Sequence, residues 1–150
     1  MLKQTTLLLT SLLFTGLAWA HQAPLEVHHG FVRAVPPTSQ VSAAFMQLHN
    51  PHDHPVRLVH ATSPASEVVE LHTHTQVDGV MQMRRIDAIE VPAQGETHLQ
   101  PGGLHLMLIG LKQPLRRDQQ VEIQLQLEDG SVIELSLPVR PVEGGHRHQH

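Results

Sequence analysis

Histidine and methionine are the side chains of this chain whose types and spacing suit metal chemistry. The 150 residues include 14 histidines and 5 methionines but no cysteine. In segment 104–111, leucines alternate with His105, Met107 and Ile109. Because residues two apart on a strand share a face, His105 and Met107 are predicted to point the same way, opposite to the leucines. This spacing places an imidazole beside a thioether.

Two more segments carry pairs with the same spacing. Met81 and Met83 form one pair, and His72 and His74 form the other. All three pairs lie off the predicted leucine-rich face. Methionine is also a common core filler, so spacing alone leaves packing and metal ligation both open. We expect loops to bring the strand ends together at one rim, where the pairs would close a site.

The donor types select among metals. Thioether sulfur is soft and uncharged and imidazole is borderline, so together they suit Cu(I), whose single charge needs no anionic ligand. Zinc sites favour thiolate, imidazole or carboxylate, and calcium sites need several oxygens. Neither of those patterns is evident, and thiolates are impossible without cysteine. A metal bound by this donor set is therefore predicted to be Cu(I).

The first twenty residues have the features of a secretory signal peptide. Lys3 precedes an apolar run over 7–17, and Ala18-Trp19-Ala20 places small residues at the −3 and −1 positions of a cleavage site. The run is short for a membrane span, which disfavours the alternative of an uncleaved anchor. We predict cleavage before His21 and a periplasmic mature protein.

The charge of the predicted mature chain disfavours nucleic acid and anionic lipid as partners. Lys3 leaves with the signal peptide, so 9 basic residues remain against 14 acidic ones, and the formal charge changes from −4 to −5. A negative chain is repelled by polyanionic surfaces. We therefore expect no nucleic-acid binding and no membrane insertion after cleavage.

Period-two alternation with turn signals every eight to twelve residues predicts an all-β fold, an antiparallel sandwich or barrel. The clearest strands are 119–127 and 131–139, joined by the hairpin turn Asp129-Gly130. The other predicted strands are 24–35, 40–49, 55–62, 66–73, 80–92, 96–100 and 104–111. The expected organisation is the signal peptide 1–20, one copper-binding domain over 21–140 and a flexible His-rich tail over 141–150.

The spacing His72-x10-Met83-x21-His105-x-Met107 resembles the signature of the PCuAC-type periplasmic copper chaperones. The likeness extends over roughly residues 28–140. The resemblance implies a cupredoxin-like Greek-key β-sandwich that binds Cu(I) through these four side chains. It also implies delivery to the copper centre of cytochrome c oxidase, with the subunit that carries that centre, or another copper chaperone, as the transient protein partner.

Further histidines and one methionine lie outside the four-ligand pattern. The tail residues His146, His148 and His150 resemble the His- or Met-rich extensions of some family members, and we expect them either to bind Cu(II) weakly or to be solvated without a role. After cleavage His21 would pair a free amine with its imidazole, a good Cu(II) chelate. His74 and Met81 are expected near the site, as alternate ligands or as groups behind the ligands.

Three functions are compatible with this donor set. The first is a copper chaperone without enzymatic activity. The second is a copper oxidase or monooxygenase using His21, which the absence of Tyr, Cys and mature Trp disfavours. The third is a passive scavenger for copper resistance or storage. The sequence does not separate the first function from the third.

Overall fold

The computed structural model describes residues 23–143, which form one all-β domain of ten strands without a helix. The strands are β1 (Glu26–Arg33), β2 (Val41–His49), β3 (Val56–Thr62), β4 (Ser66–Val77), β5 (Val80–Arg85), β6 (Ile89–Val91), β7 (Glu96–Leu99), β8 (His105–Leu111), β9 (Gln120–Leu127) and β10 (Val132–Arg140). Between residues 23 and 143, nothing forms a helix long and apolar enough to cross a membrane. The predicted all-β class is confirmed.

Three predicted features lie outside the described residues. They are the signal peptide 1–20, the amino-terminal His21 and the tail histidines His146, His148 and His150. Residues 141–143, which the prediction also assigned to the tail, have no regular secondary structure. The predicted domain boundaries stay predictions.

Seven strands close into a barrel in the order β4, β8, β2, β1, β10, β9 and β3, and β3 returns to β4 through the pair Ala61↔Val69. Six of the seven neighbouring strand pairs are antiparallel, but the pair formed by β1 and β10 is parallel. The prediction of an entirely antiparallel sheet was therefore wrong at this pair. The reason is topological: strand direction cannot alternate around a closed ring with an odd number of strands, so at least one neighbouring pair must be parallel.

The barrel interior is filled by one face of each strand. In β9 the alternation is complete: Val121, Ile123, Leu125 and Leu127 are buried and the residues between them are exposed. In β8 Leu106 and Leu108 are fully buried in the same core. The strand faces predicted for these two segments are confirmed. Residues that alternate with the leucines of β8 therefore lie on the outside of the barrel.

The region 66–92 differs most from its prediction. Strand β4 continues to Val77, beyond the predicted end at residue 73, and the predicted strand 80–92 is two strands, β5 and β6. Asp78 and Gly79 have φ of 50° and 78°, and they form a tight turn that returns β5 along β4. The Ile86 amide then donates to the Leu71 carbonyl at 2.9 Å, where β5 has ended. The result is a two-stranded ribbon in which every residue of β5 is exposed.

We expect Leu125→Ala to destabilise the barrel by about 2–5 kcal/mol, because the truncation leaves a cavity among well-packed neighbours. Leu125 is 0% exposed in the core. Val132→Ala is the control, since Val132 is 47% exposed on the neighbouring strand, and it should cost less than about 0.5 kcal/mol. Urea denaturation of the two variants measures both values. Equal costs would contradict the packing described here.

Candidate metal centre

The registers of three neighbouring strands gather the four predicted ligands on the outer face of the barrel. His72 on β4 lies directly opposite His105 on β8, and Met107 follows His105 by two residues on the same face. Met83 on β5 lies opposite His74, the next outward residue of β4 after His72. The expected rim of loops was wrong: the candidate ligands lie along the sheet face, because cross-strand pairing already brings them together.

His105 is the centre of this cluster. It is only 3% exposed although it points away from the barrel core. The centroid of its ring lies 5.7 Å from that of His72, 5.3 Å from that of His74 and 6.3 Å from that of Phe45. These rings cover it from both sides along the sheet face.

A backbone contact sets which nitrogen of His105 is available. Its Nδ1 lies 3.0 Å from the carbonyl oxygen of Gly103. Because a carbonyl oxygen only accepts, Nδ1 carries the proton and donates it, and Nε2 of the neutral ring keeps its lone pair. A backbone hydrogen bond on one imidazole nitrogen, with the other free to ligate, is the arrangement usual for metal-binding histidines.

The electrostatic surroundings keep His105 neutral. Burial lowers the pKa of His105 below its ordinary value of 6.5, against the raising effect of the hydrogen bond to Gly103. Positive charge on His74 or His72 lowers this pKa further. A lowered pKa means that protons compete less for the nitrogen a metal would need.

His72 is oriented by a carboxylate. Its Nε2 donates to Oε2 of Glu70 at 2.8 Å, and Oε1 of Glu70 lies 3.6 Å from Nη1 of Arg85. The Nδ1 of His72 is buried and has no hydrogen-bond partner in the part of the chain that the structure describes. An unsatisfied buried polar atom costs about 1–3 kcal/mol, and a metal bond would offset that cost. The donor therefore fits a metal ligand held by a carboxylate behind it.

The two methionines share a pocket with His105. Met83, Met107 and His105 line a cavity of about 130 Å³ beside β1 and β2. Met83 is 47% exposed, so the pocket opens to solvent on the side of the β4–β5 ribbon. In residues 23–143, no three His, Asp or Glu side chains converge on a point where they would hold a metal by themselves. The candidate centre combines imidazoles with thioethers.

The two residues expected near the site, His74 and Met81, lie in different surroundings. His74 lies in the cluster, whereas Met81 is exposed two residues before Met83 on the ribbon. Glu70 was missed, although its spacing of two residues from His72 placed it on the same strand face. A larger open cavity, about 440 Å³, is lined in part by His52, His54 and Asp129 and contains no methionine.

Comparison with known proteins supports the family resemblance. Residues 25–139 match the family described as "LpqE-like: Putative lipoprotein LpqE-like". The chain is 32% identical to "Putative lipoprotein Lxx21020" of Leifsonia xyli subsp. xyli (strain CTCB07). The match extends over 123 residues, which are 81% of this chain and 73% of the relative. The predicted resemblance to PCuAC proteins is confirmed.

Solved structures agree with the observed fold. The solution structure of CuI-DR1885 from Deinococcus radiodurans is 36% identical, covers 86% of this chain and 87% of its own, and has a TM-score of 0.69. The copper-bound PCuAC domain from PmoF2 is 21% identical and has a TM-score of 0.67. This match covers 80% of the present chain and 95% of the PmoF2 domain. At that identity the second likeness concerns the fold alone.

We predict that the His105 imidazole titrates with a midpoint below 6.5 in the metal-free protein, since burial disfavours its charged form. Proton binding to the unfolded chain then exceeds that to the folded chain in this range. The stability contributed by neutral His105 is complete above pH 6.5 and is lost as the pH falls through the lower folded value. An NMR titration of the ring protons measures the midpoint. A midpoint at or above 6.5 would contradict the burial described here.

Proposed function

This chain belongs to the LpqE-like family, the family of the PCuAC-type copper proteins, and on that premise we propose that it is an exported copper chaperone. It holds Cu(I) through His72, Met83, His105 and Met107 and passes the ion on unchanged. Copper is the cargo of this protein, and no catalytic step is proposed. Its place of action is the periplasm.

The observation that supports this function most directly is the pair of available imidazole nitrogens beside two sulfurs. Nε2 of His105 and the unpartnered Nδ1 of His72 lie on directly paired residues. Met83 and Met107 line the same pocket as His105. Two imidazoles and two thioethers are all neutral, which matches the preference of Cu(I) for soft, uncharged ligands.

The exposure of the centre supports a role in transfer. Met83 comes from β5, which among the described strands pairs only with β4 and is exposed along its whole length. A ligand on such a ribbon can leave the ion without disturbing the barrel, because few buried contacts hold it. A partner's ligands can then replace Met83 first and the more buried His105 last. This order of ligand exchange is what we expect of a carrier.

The proposed recipient is the copper centre of cytochrome c oxidase. The resemblance to PCuAC chaperones supports this recipient, and the transient partner would be the subunit that carries the centre or another copper chaperone. The similarity of the chain to CuI-DR1885, at 36% identity, supports copper as the cargo.

We expect the double variant Met83→Ala, Met107→Ala to lose tight Cu(I) binding, because both soft sulfur ligands are removed. The affinity should fall by about 100-fold or more, which corresponds to roughly 2.8 kcal/mol. Competition with a chromogenic Cu(I) chelator measures this change. Met81→Ala is the matched control, since Met81 is on the same strand and 56% exposed. Unchanged affinity in the double variant would disprove the ligand assignment.

A deletion strain grown at limiting copper distinguishes delivery from scavenging. We expect reduced cytochrome c oxidase activity that added copper restores, because the oxidase would lack an efficient copper donor. Complementation with the Met83→Ala, Met107→Ala variant should not restore activity. Normal oxidase activity combined with sensitivity to high copper would instead indicate a scavenger, and the proposed recipient would be wrong.

A further inference from the structure

The cluster around His105 contains a third imidazole beyond the four proposed ligands. His74 lies on the same face of β4 as His72 and directly opposite Met83. Its ring centroid is 5.3 Å from that of His105, closer than the 5.7 Å between His72 and His105. His105 therefore has two imidazole neighbours on β4, one directly opposite and one two residues farther along that strand.

One nitrogen of His74 makes no contact that supports the fold. Its Nδ1 is buried and has no hydrogen-bond partner among residues 23–143, as is also true of Nδ1 of His72. Leaving such an atom unsatisfied is unfavourable, and an apolar side chain of similar size would avoid the cost. Within residues 23–143, His74 also forms no ion pair with a carboxylate, unlike His72 with Glu70. In a neutral His74 ring this buried nitrogen can carry the lone pair, and it lies on a ring beside two other imidazoles.

The freedom of the His74 ring differs from that of its neighbours. His72 is held by the Glu70 carboxylate and His105 by the Gly103 carbonyl. No side-chain hydrogen bond restrains His74 in the part of the chain that the structure describes. The three rings do not yet converge on one point. A three-imidazole site therefore requires His74 to turn toward the other two rings when the metal binds.

The donors of this cluster form two chemically different sets. Cu(II) prefers nitrogen and oxygen donors in tetragonal geometry, whereas thioether sulfur suits Cu(I). Three imidazoles are a suitable set for Cu(II), and water can complete its coordination at a site open to solvent. Two imidazoles with two thioethers suit Cu(I). His72 and His105 belong to both sets, and His74 belongs only to the first.

We infer that His74, His72 and His105 form a Cu(II) site that overlaps the Cu(I) site, so that the barrel itself binds copper in either oxidation state. This inference rests on the proposed function, because it shares two ligands with the Cu(I) site. It concerns binding alone and includes no electron transfer. His74 is then the residue that determines which oxidation states the carrier accepts.

The test uses the mature chain with His21, His146, His148 and His150 replaced by asparagine, so that neither terminus contributes histidine ligands. In this background His74→Asn should weaken Cu(II) binding by about tenfold or more, because losing a ligand should cost at least as much as losing a group that only orients one. Electron paramagnetic resonance should show three coupled nitrogens before the substitution and two after it. Cu(I) affinity, measured with a competing chelator, should change by less than about threefold.

Two further variants complete the design. His60→Asn is the matched control, because His60 is an exposed strand histidine on β3, and it should leave both affinities unchanged. His74→Met replaces the third imidazole by a thioether, so it should weaken Cu(II) while retaining Cu(I). Thermal melts of the metal-free variants establish that each one folds.

Unchanged Cu(II) affinity and nitrogen count in His74→Asn would overturn the inference. Equal losses of Cu(I) and Cu(II) would also overturn it, because His74 would then be an ordinary ligand of a single site. The failure of the proposed function has a different signature. In that case Met83→Ala, Met107→Ala retains Cu(I), whatever the result at His74.

Discussion

The pairing of β4 with β8 is the constraint on which the candidate centre depends. Val69 and Leu71 on β4, with Leu106 and Leu108 on β8, must all point into the barrel. Burial of this face is the dominant stabilising contribution, and a shift of one residue would turn every leucine outward. The same register therefore forces His72 and His105 to face each other outside the barrel. The candidate ligands are therefore held in place by the hydrophobic core behind them.

Hydrogen bonds then decide how these histidines present their nitrogens. The Gly103 carbonyl fixes the proton of His105 on Nδ1, and the Glu70 carboxylate fixes that of His72 on Nε2. Each ring retains one lone pair, and neither lone pair accepts a hydrogen bond from any residue between 23 and 143. Burial also favours the uncharged form of His105. In the proposed centre these two histidines would be oriented before a cation binds, so little of the binding energy would be spent on reorienting them.

The two proposed sulfur ligands differ from each other in a way that suits a carrier. Met107 belongs to a barrel strand that is paired on both sides, whereas Met83 belongs to the exposed ribbon formed by β4 and β5. A rigid half and an exposed half would allow the proposed site to hold copper and still release it to a competing set of ligands. Should His74 also bind Cu(II), the same rigid half would serve both oxidation states.

Much of this protein was determined by local patterns in the sequence. Alternation identified the strands and the inward faces of β8 and β9, because a strand with one buried face needs an apolar residue at every second position. The spacing of His72, Met83, His105 and Met107 identified the candidate ligands only through their family resemblance.

Other features required the tertiary structure. The parallel pairing of β1 and β10 follows from closing a ring of seven strands, which no local pattern encodes. The contact of His74 with His105 and the support of His72 by Glu70 depend on cross-strand register and side-chain orientation, and these are decided only when the strands pair.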